Sequence, residues 1–210
     1  MKYNGVVKYS IAIDANDRIY SLTENGNTHY FEYDSLGRLV RGWQEDSNGN
    51  IILAVENTYD EFGRSSGSTY SLPDETQEYE ITYKDNTNLI EKYTTPVGDI
   101  SYTYDAFDRL HNKAHSVNNQ FWCNYTYNYL TDADGKTTNL VSSYGFMEPN
   151  YSGHMFYYTY DNLGNITSIS DGTNALVSYE YDELGQLTRE NNAVANYTMF
   201  YAMTMRAICI

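Results

Sequence analysis

Short stretches of alternating apolar and polar residues recur along the chain, each ended by a cluster of Asp, Asn, Gly or Ser. In Phe31-Glu-Tyr-Asp-Ser-Leu-Gly-Arg-Leu39 the large side chains fall on every second position up to a four-residue break, then resume. A period of two with polar breaks predicts half-buried β-strands joined by tight turns. Helical periodicity is nearly absent, and proline occurs only at Pro73, Pro96 and Pro149. The predicted fold class is all-β.

The same stretch repeats. Asn57-Thr-Tyr-Asp-Glu-Phe-Gly-Arg64, Tyr102-Thr-Tyr-Asp-Ala-Phe-Asp-Arg-Leu110, Tyr158-Thr-Tyr-Asp-Asn-Leu-Gly-Asn-Ile166 and Tyr179-Glu-Tyr-Asp-Glu-Leu-Gly-Gln-Leu187 align with it. Weaker copies lie at Ile13–Ile19, Ile81–Leu89 and between Tyr125 and Leu140. About eight units at intervals of roughly 20 to 30 residues predict an array of hairpins rather than a conventional single fold.

Each unit has a physical reading. Asp34 at the first turn position and Gly37 at the fourth suit a type I turn followed by a left-handed residue. Glycine takes that positive φ without strain. Such a turn sets Asp34 against Arg38, Tyr33 against Leu39 and Glu32 against Val40. Phe31, Tyr33 and Leu39 then share a face. The Asp34–Arg38 pair contributes under about 1 kcal/mol if exposed, so the turn acts mainly by fixing register. The equivalent turn residues are Tyr59, Asp60, Gly63 and Arg64; Tyr104, Asp105 and Arg109; Tyr160, Asp161 and Gly164; Tyr181, Asp182 and Gly185. Asp108 stands in the glycine position of the third strong copy, which left-handed geometry tolerates less well. A lone hairpin is marginal in water, so the units are expected to pair side by side into a twisted, coiling antiparallel sheet.

Composition adjusts this picture in one respect. Leu, Ile, Val and Phe make up only about a fifth of the 210 residues, and the formal net charge is −15. Those figures alone would suggest disorder. The 24 tyrosines reverse that inference, because each buries a ring while its hydroxyl finds water or a carbonyl. The tyrosine face is therefore expected to form the core. The acidic balance argues against nucleic acid and against an anionic membrane surface. No apolar stretch reaches the roughly 20 residues of a spanning helix, and the N-terminus has no export signal.

No catalytic, cofactor or metal site is expected. His111 and His115 are four apart, about 13 Å on a strand, too far to share an ion. His29 and His154 lack partner ligands nearby. Asp132-Ala-Asp134-Gly135 resembles the start of a calcium loop, but no acid stands at the twelfth position. Cys123 and Cys209 read as unpaired thiols. The recurring aspartates share one turn role, whereas a catalytic carboxylate would be singular and paired with a differently tuned partner. Rows of tyrosine could instead stack on sugar rings, as in wall-binding repeats. Those are typically rich in Gly-Trp pairs, and only Trp43 and Trp122 are present, one of them in Gly42-Trp43.

The repeated Tyr-x-Tyr-Asp-x-Leu-Gly-Arg-Leu motif resembles the YD repeat of Rhs proteins, of the C components of Tc toxins and of teneurins, over most of residues 10–190. The resemblance implies a sheet that spirals into a hollow shell. In bacterial relatives such a shell encloses a C-terminal toxin domain, in exported or wall-associated agents of competition between cells. Bacterial shells usually close with an Asp-Pro-containing segment, and no Asp-Pro occurs here.

The organisation expected is therefore a repeat array over 1–190 and an irregular tail over 191–210. The methionine-rich end, with Met199, Met203 and Met205, reads as the stub of a truncated or frame-shifted gene. The expected partners are flanking repeats and a cargo or toxin domain of a parent protein, with cell-wall glycans as the alternative. The expected location is extracellular or wall-associated through that parent. Unpaired first and last strands lead to an expectation of self-association.

Overall fold

The computed structural model describes residues 2–3, 6–7, 9–132, 134–150 and 153–201. Secondary structure among them is strand and turn only. By internal contacts the chain divides into two compact units, Met1–Ile100 and Ser101–Ile210.

In the first unit β1 (Lys2–Tyr3) and β2 (Val6–Val7) form a two-stranded ribbon. Eight strands follow: β3 (Tyr9–Ile13), β4 (Ile19–Glu24), β5 (Asn27–Tyr33), β6 (Leu39–Glu45), β7 (Ile51–Tyr59), β8 (Ser65–Ser71), β9 (Thr76–Tyr83) and β10 (Ile90–Thr95). Each pairs antiparallel with the next in chain order. The strand β11 (Gly98–Tyr104) runs across the division. The second unit continues with β12 (Leu110–Val117), β13 (Gln120–Thr131), β14 (Thr137–Met147), β15 (His154–Tyr160), β16 (Ile166–Ser170), β17 (Ala175–Tyr181), β18 (Leu187–Asn192) and β19 (Tyr197–Phe200). These too pair consecutively and antiparallel. Among the described residues registers join only consecutive strands, so each unit is an open meander. Strand pairing extends past residue 190, through the end of β18 and all of β19. Residues 202–210 of the expected tail, with Met203, Met205 and Cys209, lie outside the described residues.

The two faces of each sheet differ as strand alternation requires. Strand β9 shows it plainly: Gln77, Tyr79, Ile81 and Tyr83 are half-buried, while Thr76, Glu78, Glu80 and Thr82 are exposed. Register carries the aromatic face across strands in the second unit, where Tyr125 opposes Phe146, Tyr127 opposes Tyr144, and Tyr144 opposes Phe156. These rings pack at centroid distances of 5.0, 5.3 and 6.5 Å. On the other face Asn128 donates to Ser143 Oγ at 2.9 Å and Thr198 donates to Asn191 Oδ1 at 2.8 Å.

The expectation of a tyrosine core needs correction. Among the described residues only Ala54 and Cys123 are buried apolar residues, and no large side chain is fully buried. Each unit is one layer of strands, and among the described residues the aromatic face stays half-open, with rings that shield mainly one another. An aromatic pair also appears on the polar face, where Tyr30 stacks on Trp43 at 4.9 Å above Ala54.

Candidate functional site: the stapled turns

The recurring turns are where the sequence places its most specific chemistry. In the turn after β5 the Asp34 amide donates to Arg38 O at 2.9 Å and the Gly37 amide donates to Asp34 O at 3.0 Å. Gly37 has φ +81°. Asp34 Oδ1 accepts from the Leu36 and Arg38 amides, both at 2.9 Å, and Oδ2 accepts from Arg38 Nε at 2.7 Å. One carboxylate therefore satisfies three donors that the turn would otherwise leave to water. The donated bonds, that of the Arg38 amide foremost, hold the Asp34 carboxyl below the usual carboxylate range.

The other turns repeat this. Asp60 binds Phe62, Arg64 N and Arg64 Nε, and Gly63 has φ +81°. Asp105 binds Phe107, Arg109 N and Arg109 Nε. Asp108 takes the left-handed position at φ +59°. Asp161 binds Leu163, Asn165 N and Asn165 Nδ2, with Gly164 at φ +85°. Asp182 binds Leu184 and Gln186, with Gly185 at φ +75°. The weaker copies form the same closure at Asp14–Arg18 and Asp132–Lys136, and one a residue wider at Lys84–Leu89. In these antiparallel meanders, the eight turns that connect odd to even strands from β3 onward lie along one rim of their unit.

One register detail differs from the sequence reading. Tyr33 faces Leu39 as expected, but Glu32 faces Arg41, not Val40, because a bulge doubles Leu39 and Val40 against one residue. The same shift follows the turns at Ile19, Ser65, Ile90, Ile166 and Leu187. A bulge leaves backbone groups of the extra residue outside the ladder, and a carbonyl left there needs a donor.

The motif tyrosines supply it, each reaching back to the preceding hairpin. Tyr33 Oη donates to Ile19 O at 2.9 Å, Tyr59 to Leu39 O at 2.9 Å, and Tyr83 to Ser65 O at 2.8 Å. Tyr129 donates to Leu110 O at 2.9 Å, Tyr160 to Val141 O at 2.7 Å, and Tyr181 to Ile166 O at 2.9 Å. Five of those six acceptors, all but Leu110, open a bulge in a described register. Burial raises the phenols of Tyr129, Tyr160 and Tyr181 above their ordinary range, which keeps them protonated as donors.

Arginine closes the loop in the opposite direction. Arg18 lies over the Tyr33 ring at 4.7 Å, Arg38 over Tyr59 at 4.2 Å, Arg64 over Tyr83 at 4.0 Å and Arg109 over Tyr129 at 4.0 Å. Arg64 and Arg109 also donate through Nη1 to the carbonyls of Thr87, in the following turn, and of Thr138, at the start of β14. The Asp of one turn thus aims an Arg at the Tyr of the next, and that Tyr binds back to the first hairpin. We call this reciprocal contact a staple. Of the residues singled out in the sequence, the structure brings Asp34, Gly37 and Arg38 together with Tyr59, and Asp60, Gly63 and Arg64 together with Tyr83. Asp105 and Arg109 meet Tyr129. Sequence reasoning missed the staple because its partners lie about twenty residues apart and its acceptor is a main-chain carbonyl.

The remaining candidates stay apart. His111 Nδ1 lies 3.0 Å from Tyr127 O, while His115 packs edge-on against Tyr125. Asp132 accepts from the Asp134 and Lys136 amides as an ordinary turn residue. Among the described residues no group of His, Cys, Asp or Glu is arranged to hold a metal, and no helix is long and apolar enough to cross a membrane.

Residues 160–195, which hold the last two stapled turns, match the RHS Repeat family. Among solved structures it is similar to a Photorhabdus luminescens Tc holotoxin pore, at 15% identity and a TM-score of 0.43 over 87% of this chain and 12% of that one. A TcdB2–TccC3–TEV crystal structure gives 16% identity, a TM-score of 0.43, and coverage of 87% and 12%. A porin-like protein from Bacteroides uniformis gives 16% and 0.36, covering 90% of this chain and 86% of that one. The chain thus spans about an eighth of the Tc toxin chains it matches. No curated protein gave a significant match.

Proposed function

We propose that this chain is a non-catalytic wall segment of an Rhs-like protein, adding strands to a β-shell that isolates a toxin or other cargo domain. The staple is the observation that carries this reading. It joins successive hairpins through a side chain on one and a backbone carbonyl on the other. Sheet cohesion then does not depend on a buried core, as suits a wall one layer thick. In that role the parent protein acts outside the cell or at the wall in competition between cells, and the chain's partners are flanking repeats and the cargo. The test is protease protection of the cargo in the intact parent protein. Deleting this segment should expose the cargo to cleavage; unchanged protection would rule out a wall role.

A second reading, carbohydrate or cell-wall binding, is favoured by the half-open aromatic face. Tyr125 and Tyr144 stack at 6.2 Å, and beside them Tyr158, Ile169 and Val177 line a shallow apolar depression with Asn192. Titration with soluble peptidoglycan fragments, read by tyrosine fluorescence, distinguishes the two. Saturable quenching lost in Tyr144→Ala would favour glycan binding, and an unchanged signal favours the wall.

A further inference from the structure

The tyrosines divide into two sets. Those of the staples spend their hydroxyls on main-chain carbonyls. Others pair ring to ring, and their densest group lies within the second unit, on β13, β14 and β15. Tyr144 is at its centre. Tyr127 stands directly opposite with ring centroids 5.3 Å apart, Tyr125 stacks on Tyr144 at 6.2 Å, and Phe156 lies at 6.5 Å. Among the described residues the Tyr125 hydroxyl hydrogen-bonds with the Cys123 thiol, whereas those of Tyr127 and Tyr144 bond no other protein group. Packing does not call for these hydroxyls, because Phe146 and Phe156 fill the same cluster without one. Both tyrosines are half-buried, so two free phenols are held side by side within reach of solvent.

We propose that Tyr127 and Tyr144 form an oxidative cross-linking site, where a peroxidase using hydrogen peroxide joins β13 to β14 by a dityrosine bond. Each phenol gives up one electron and its hydroxyl proton, and one hydrogen peroxide takes up both electrons and both protons to become two waters. The two phenoxyl radicals couple, forming one carbon–carbon bond between ring carbons ortho to the oxygens. The hydrogens on those two carbons move to the oxygens and restore both phenols, so the product is two hydrogen atoms lighter. Register makes this pair the favoured one. Residues directly opposite on antiparallel strands keep their side chains adjacent, and groups held in contact react far faster than the same groups meeting by diffusion. Tyr157 is more open, at 42% exposure, but it lies on the other face, opposite Ser143, with no ring partner among the described residues. It could couple only between molecules, and copies with net charge −15 repel. The bond closes the β13–β14 hairpin covalently, which stabilises a fold by restricting its unfolded chain. This chemistry rests on ring geometry and stands whether or not the chain is a shell wall.

Brief treatment of the dilute full chain with a peroxidase and hydrogen peroxide tests this. Dityrosine emission should appear on the monomer. Tandem mass spectrometry of a tryptic digest should place the bond between Tyr127, in the peptide ending at Lys136, and Tyr144, in the peptide beginning at Thr137. Tyr127→Phe and Tyr144→Phe should each abolish the monomer emission, and Tyr157→Phe should leave it. Should a phenylalanine variant lose its strand circular dichroism, the bond mapped in the wild type decides. Emission confined to cross-linked dimers, a bond mapped to other tyrosines, or monomer emission that survives Tyr127→Phe overturns the proposal.

Discussion

The staples of the first unit and those near the end of the second are built differently. Tyr33, Tyr59 and Tyr83 each receive both a carbonyl contact and an arginine on the ring. Tyr160 and Tyr181 keep the carbonyl contact, but the preceding turns end in Lys136 and Asn165, and no cation lies over either ring among the described residues. Asn165 fills the arginine's place only within its own turn, bonding Asp161 Oδ2 at 2.9 Å. The tyrosine-to-bulge bond is therefore the constant part of the design. The arginine is reinforcement, present where Asp can aim it and dispensable where an amide closes the turn.

The largest effect expected should be common to both regions. Gly63→Ala and Gly185→Ala force a side chain into left-handed backbone and should each cost about 1–2 kcal/mol in urea unfolding. A marked difference between them would mean that the turns are not equivalent. Next, Tyr181→Phe removes the donor of Ile166 O and should cost about 1 kcal/mol. Tyr59→Phe should cost less, since Arg38 still holds the ring; equal losses would show that the arginine contributes nothing. Smaller still, Arg109→Gln converts an arginine turn to the amide type and should cost about 0.5–1 kcal/mol.

Acid should separate the regions least. The carboxyls of Asp34, Asp105 and Asp161 sit below their ordinary range, held there first by the Arg38 amide, by the Arg109 guanidinium and by the Asn165 side chain respectively. A depressed folded value gives stability that is present above the unfolded carboxyl range and lost as pH falls through the folded value. Unfolding midpoints should therefore drop only at acid pH, and Asp161→Asn should flatten that drop in the second unit. An unchanged acid profile in this variant would show that the Asp161 carboxylate is not linked to folding.

Much of this was legible in the sequence, for local reasons. Asp34 and Gly37 define a turn by their own chemistry, and alternation put Phe31, Tyr33 and Leu39 on one face without tertiary information. The bulge at Leu39–Val40 was not legible, because an extra residue carries no compositional mark. It shows itself only when Glu32 is found opposite Arg41. The staple was hidden for a related reason, since a main-chain carbonyl has no residue identity to read. Burial was overestimated because alternation reports which face is apolar, not whether anything covers it. Trp43, weighed in the sequence only as part of a Gly42-Trp43 pair, gained its meaning when register set Tyr30 opposite it.

The staple also has a direction. Each tyrosine reaches back to a carbonyl already placed by the hairpin before it, so a newly made hairpin finds its docking point finished when it leaves the ribosome. A chain emerging from its N-terminus can add hairpins one at a time, each closing locally within about twenty residues. Nothing in that sequence of events must wait for a distant strand. Assembly of such a sheet would keep pace with translation, and a nascent chain would never hold more than its latest hairpin unfolded.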